Sequence, residues 1–274
     1  MQKRHIDRLQ YFRELAQTSE RYFMPYIKDF LDMAGPISIL EVGCGDGGNL
    51  LHFAKRGYEV VGVDISANRI NDAKSFFEQE NANAKFICSD ILKLNGYKSY
   101  FDLVICHDVI EHIGNKQEML SRIECFLKPK GLLFIGFPAW QMPFGGHQQI
   151  CHSKLLSITP FFHMLPPNLY KYILSLGGEN VECINELLSI KSTKITIELF
   201  EKLVAQTSFD IVDRRLYFVN PHYEVKFGLK PRRLLKPLSE MPYIRNFFST
   251  SCFYILKKSS AMDSASSHTG RSEQ

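Results

Sequence analysis

Residues 39–66 read ILEVGCGDGGNLLHFAKRGYEVVGVDIS, and this stretch decides the fold. It opens on a short apolar run, Ser38 to Val42, of the kind buried on both faces in a parallel sheet. Gly43, Gly45 and Gly47 follow as G-x-G-x-G, and residues 47–56 read as a helix. Glycines between a strand and a helix permit a tight turn and let a ligand approach the backbone closely. The helix start beyond them offers unpaired N–H groups and the positive end of a dipole. A second apolar strand, Glu59 to Val63, stops at Asp64, 17 residues after Gly47. That spacing sets a carboxylate beside the glycine turn, where it can accept both hydroxyls of a ribose. Strand, turn, helix and acid together point to a nucleoside-containing ligand.

The same rhythm extends outward. Ser66 can cap a helix running to about Gln79; Lys85–Cys88 and Phe101–Cys106 read as strands; Lys116–Leu127 reads as a helix ended by Pro129 and Gly131; Leu132–Phe137 is a fifth strand. Alternating strands and helices predict a doubly covered, mostly parallel α/β sheet with right-handed crossovers. After Pro138 the rhythm is lost, and residues 139–192 are too long for an ordinary connection. They read as a cap over a substrate. The rhythm returns with a helix near 193–206 and strands at Phe209–Val219 and Ser251–Leu256. The predicted organisation is an N-terminal helical segment (1–35, helical from residue 4 with a break at Pro25), a catalytic domain (36–138 and 193–257), the cap (139–192) and a disordered, Ser-rich tail (258–274).

The stretch EVGCGDG, with acidic Glu41 ahead of the glycines, resembles motif I of class I S-adenosylmethionine-dependent methyltransferases. Ser89-Asp90-Ile91, FDLVICHDVIEHI at 101–113 and LKPKGLLFIGFP at 127–138 are similar to further segments of the small-molecule superfamily that includes ubiquinone-biosynthesis enzymes. The likeness covers 36–138 well and 193–219 loosely, and it does not reach the insertions. It implies a Rossmann-like sheet of seven strands in the order 3-2-1-4-5-7-6, strand 7 antiparallel, with helices on both faces and the cap after strand 5. It implies S-adenosylmethionine as cofactor and S-adenosylhomocysteine as product. The cofactor residues it implies are Glu41, Gly43, Cys44, Gly45, Asp64, Ile65, Asp90, Ile91 and His107. Arg21 and Tyr22 lie on a helix that either folds over the cofactor to hold its carboxylate or stays at the surface, and Glu111-His112, which matches the family's E-H pair, reads as an orienting or capping pair, with catalysis the alternative.

The run PAWQMPFGGHQQICHSK follows strand five at the edge where an acceptor would sit. Trp140, Phe144, His147 and Gln148 are the expected acceptor contacts, and His147 or His152 the expected general base, since imidazole titrates near neutrality. His147, Cys151 and His152 fit no common zinc spacing, so no metal is expected. These residues suit O-methylation of an aromatic or lipid-like compound. The alternatives are a protein or RNA methyltransferase and a non-catalytic cofactor-binding protein.

Composition bounds the rest. The chain has 274 residues, 45% hydrophobic and 23% charged, with a formal net charge of +4 that does not call for nucleic acid. One basic run, KFGLKPRRLLK at 226–236, holds no acid; it reads as a solvated loop or a peripheral membrane or anionic-ligand contact. Seven cysteines, an odd number without a CxxC pair, read as reduced residues of a cytoplasmic protein. The first residues are too polar for a secretory signal, and no apolar run reaches the roughly 18 to 20 residues of a transmembrane helix. A homodimer is compatible with the sequence.

Overall fold

The computed structural model describes residues 7–259; the first six residues and the tail beyond 259 lie outside the described part. Eight strands form one sheet: β1 Ser38–Val42, β2 Glu59–Asp64, β3 Lys85–Cys88, β4 Phe101–His107, β5 Leu127–Phe137, β6 Phe209–Val219, β7 Arg232–Arg233 and β8 Ser251–Lys258. Their order is β3-β2-β1-β4-β5-β8-β6-β7. The strands from β1 to β5 run parallel, whereas β8 runs antiparallel to both β5 and β6.

Seven strands were expected, and the eighth corrects that count. β7 is two residues long and pairs antiparallel with Tyr217 and Val219 at the outer edge of the sheet. Leu234 N–H extends the pairing to Leu216 O, and the Leu234 side chain is buried. The basic run hides this strand because both of its residues are exposed arginines, so no apolar alternation marks it. The final strand does lie between β5 and β6, but it is β8 of eight.

Alternation along each central strand sends side chains to two separate cores. Leu40, Val42, Val104, Cys106, Leu133 and Ile135 meet helix residues Met119, Leu120, Ile123 and Phe200 on one face. Ile39, Val60, Leu103, Ile105, Phe134 and Phe253 meet Phe12, Phe23, Phe53, Ile70 and Phe77 on the other.

The N-terminal segment is part of that second core. An α-helix, Arg8–Thr18, widens into a π turn, Ser19–Phe23, and continues as Met24–Lys28. The widening accommodates Pro25, which lacks an N–H, so the expected break becomes a bulge within a continuing helix. Tyr26 Oη then donates to Asp213 on β6 at 2.7 Å, and Arg215 stacks 3.7 Å from the centre of the Tyr26 ring. Tyr26 thereby fastens the helix across the sheet.

Residues 139–192, expected as a cap, form short helices around a small cluster of their own: Cys151, Leu156, Phe162, Tyr170, Leu174, Cys183, Ile184 and Leu187. Among the described residues no helix is long and apolar enough to cross a membrane.

Phe253, fully buried, contacts the rings of Phe23, Tyr26, Phe134, His107 and Tyr217. Replacing it by alanine should lower the unfolding free energy by about 3–5 kcal/mol, as large-to-small aromatic changes in cores do. Urea denaturation would show this as a lower midpoint with unchanged slope.

Candidate active site

The carboxyl ends of β1, β2 and β4 meet where the strand order reverses, which is where open α/β sheets bind ligands. Gly43, Gly45 and Gly47 all adopt positive φ (67°, 51° and 82°), which L side chains rarely tolerate. Gly45 N–H donates to Asp64 Oδ2 at 2.8 Å, and Ser66 N–H donates to Asp64 Oδ1 at 2.9 Å. The carboxylate is thus locked against the glycine turn while each oxygen keeps further acceptor capacity.

Glu41 lies beneath the turn. Its Oε1 accepts from Asn49 Nδ2 at 2.7 Å, and its buried Oε2 has no hydrogen-bond partner. Burial pushes its carboxyl up to about 8. Cys44, also buried beside the turn, donates from its backbone N–H to Val63 O at 3.0 Å.

β3 ends alongside β2, with Ser89 N–H donating to Asp64 O at 3.0 Å. Asp90 Oδ1 caps the 3₁₀ turn Ile91–Lys93 by accepting from Leu92 N–H at 2.9 Å. Ile65 is largely exposed at the end of β2, whereas Ile91 faces the core.

A cavity of about 540 Å³ adjoins this turn. Its donor-side wall holds Asp46, Arg69 and Asp108. The Arg69 guanidinium lies over Gly45, where a Cβ would meet Nη2 at 2.2 Å, and its Nε reaches Asp46 Oδ1 at 3.2 Å. Arg8 also pairs with Asp46, and with Asp72 at 2.8 Å. The N-terminal helix therefore covers the site through Arg8 and Tyr11. Arg21 is exposed, and Tyr22 bonds Glu224 instead. Nothing in the amphipathic pattern singled out Arg8 and Tyr11.

The cap supplies the opposite wall through Met142, Phe144, His147, Gln149 and Ile150. His147 has a left-handed backbone, φ 57°, and closes a turn by donating its N–H to Phe144 O at 3.2 Å. Its ring lies 5.1 Å from that of His112, and its Nε2 is 4.0 Å from Glu111 Oε1. Burial first, and His112 next, bring the His147 imidazole down to about 4, so the ring is neutral at pH 7. Burial also raises Glu111, whose two oxygens lack hydrogen-bond partners. The donor atoms of Glu111, His112 and His147 lie within 4.8 Å of one another, close enough to share one cation.

Four of the expected contacts fall elsewhere. His107 is packed against Phe23 at 4.7 Å and near Phe134 and Phe253, while its neighbour Asp108, at φ 53°, reaches the cavity. Trp140 is buried against the His163 ring, and His163 Nε2 donates to the Trp140 carbonyl at 2.7 Å. Gln148 is fully buried and spends its amide N–H groups on Pro143 O and Thr159 O. His152 is outside the cavity lining; its N–H and Nδ1 both meet Glu179 Oε2, at 3.0 and 3.1 Å. The remaining wall, Asn220, His222, Tyr223, Lys226 and Thr250, was missed. Only Lys226, at the head of the basic run, carried a signal. That run is divided in the fold between the cavity, β7 and the short helix Lys236–Ser239.

Residues 39–131 match the family described as "Methyltransferase domain". The ubiquinone biosynthesis O-methyltransferase of Coxiella burnetii is 35% identical over 111 residues, 40% of this chain and 47% of that protein. Its Rickettsia bellii counterpart is 32% identical over 114 residues, 42% of this chain and 47% of that protein. The chain thus spans about half the length of the curated relatives it matches. Magnesium protoporphyrin IX methyltransferase from Synechocystis PCC 6803, solved with bound S-adenosylhomocysteine, shares the fold. It aligns with a TM-score of 0.53 and 17% identity over 90% of this chain and 84% of that one. Over residues 39–131, then, the chain matches a methyltransferase domain, on a fold it shares with a methyltransferase solved with S-adenosylhomocysteine.

Proposed function

We propose that this protein transfers the methyl group of S-adenosylmethionine to an oxygen of a small aromatic or lipid-like acceptor. The observation that carries this reading is the shared cavity: Asp46 of the glycine turn, with Arg69 over Gly45, lines the same space as Phe144 and His147.

The site's residues fit the donor. Gly45 has no room for a side chain, and the buried Glu41 Oε2 beneath it lacks a partner and is suited to a cation. Asp64 would accept the ribose hydroxyls and Asp90 the adenine amino group, with Ile65 against the ring. Arg69, which lies over Gly45 while bonded to Asp46, would move off the glycine to admit the ligand. The acceptor oxygen attacks the methyl carbon, the carbon–sulfur bond breaks, and its electrons remain on sulfur. His147, neutral at pH 7, would take the acceptor's proton, while Phe144 and Met142 keep the methyl donor and acceptor aligned and water out. Both O-methyltransferase relatives act in ubiquinone biosynthesis, which supports a small-molecule acceptor.

The direct test incubates the protein with methyl-labelled S-adenosylmethionine and fractions of a boiled cell extract. Label should enter an organic-soluble small molecule. Label confined to RNA or protein, or none despite cofactor binding, would reject the proposal.

Two variants probe the assigned roles. Asp64→Ala should weaken S-adenosylmethionine binding by ten- to a hundredfold, about 1.5–3 kcal/mol, by calorimetric titration. Unchanged affinity would remove Asp64 from the site. His147 titrates near 4 in the fold against an ordinary 6.5. Between those values the unfolded chain binds a proton the folded chain refuses, so stability must fall as pH drops from about 6.5 to 4. His147→Gln should flatten this acid decline in Tm relative to the parent protein; parallel curves would show that His147 is not the buried, neutral group described.

A further inference from the structure

The fold gathers Cys151, Glu179 and Cys183 into a second cluster, separate from the cavity. Cys151 ends the 3₁₀ turn Gln148–Ile150, Glu179 follows the glycine turn after the helix Pro167–Leu176, and Cys183 lies in the first turn of the helix Val181–Thr193. All three residues are buried, and their sulfur and carboxylate donor atoms lie within 4.8 Å of one another. His152 stands at the rim, with Nδ1 3.1 Å from Glu179 Oε2 and its side chain half exposed.

Two features set this cluster apart from ordinary core cysteines. The Glu179 carboxylate sits against two thiols that are only weak hydrogen-bond donors, although it is bonded on its other side by His152 and Ser153 N–H. In the same cluster the fully buried Tyr170 hydroxyl lacks a hydrogen-bond partner. Such a hydroxyl would be satisfied by a thiolate.

We propose that Cys151, Glu179 and Cys183 bind a structural zinc ion, with His152, now bonded to Glu179 at the rim, turning in as fourth donor. Two thiolates exclude magnesium and calcium, which take oxygen ligands, and two sulfurs with one nitrogen and one oxygen suit tetrahedral Zn²⁺. Zn–S bonds near 2.3 Å would draw the sulfurs together by a small movement. Binding releases the two thiol protons and leaves the Tyr170 hydroxyl to donate toward sulfur. The cap's own apolar cluster is small, and small units commonly depend on a metal staple. This one would join the turn carrying His147, four residues before Cys151, to the helix Val181–Thr193. The sequence pattern alone could not show it, because Glu179 and Cys183 are far along the chain from the Cys151-His152 pair.

The test uses the full chain with Zn²⁺ or Co²⁺ alone. Elemental analysis should find about one zinc per chain after dialysis, and Co²⁺ should give a thiolate-to-cobalt charge-transfer band that Cys151→Ser/Cys183→Ser abolishes. In the unaltered protein, zinc should protect Cys151 and Cys183 from alkylation and a chelator should restore it, with exposed Cys125 reacting equally throughout. Alkylation that zinc does not slow, or no retained zinc, would overturn the proposal. So would zinc bound equally by the double serine variant, which would place the ion at Glu111, His112 and His147. A Cys151–Cys183 disulfide in protein that binds no zinc when reduced would overturn it as well.

Discussion

The hydrogen bond from Gly45 N–H to Asp64 Oδ2 is the constraint around which the site is arranged. It crosses from the β1 turn to the end of β2, so the glycine loop and the carboxylate cannot move independently. The β1–β2 pairing, from Ser38 opposite Glu59 to Val42 opposite Val63, sets both partners at the same height. Positive φ at three glycines lets the loop fold back onto the carboxylate. Ser66 N–H then closes the arrangement from the following helix, so Asp64 is oriented by backbone donors before any ligand arrives. A preoriented acceptor loses little freedom on binding, which is the physical use of such a site.

The cavity beside this turn is assembled from parts far apart in the chain. The N-terminal helix supplies Arg8 and Tyr11, β4 leads to Asp108, the cap supplies Phe144 and His147, and residues 220–226 complete the wall. These parts are held by separate devices: Tyr26 on Asp213, the aromatic cluster around Phe253, and the cap's small core.

The central sheet was legible in the sequence because burial on both faces makes apolar runs, and the glycine turn because its backbone needs particular residues. Gly45 and Asp64 stand side by side as their spacing placed them, joined by a hydrogen bond. The cap was not legible in the same way. Trp140, Gln148 and His152 are polar or aromatic residues in a loop, but whether such a side chain faces a cavity depends on which backbone groups nearby need partners. Gln148 satisfies two carbonyls and His152 one carboxylate, so both are spent on structure. The two-arginine strand β7 shows no periodicity at all, and it forms because Leu234 is buried beside β6.

The central claim is that the glycine turn and the cap wall are the two halves of one methyl-transfer site. A crystal structure with S-adenosylhomocysteine tests it most directly. The account predicts ribose hydroxyls about 3 Å from the Asp64 oxygens, Arg69 moved off Gly45, and the sulfur facing the His147 side of the cavity. A ligand bound away from Asp64, or with its sulfur turned from the cap, would contradict it.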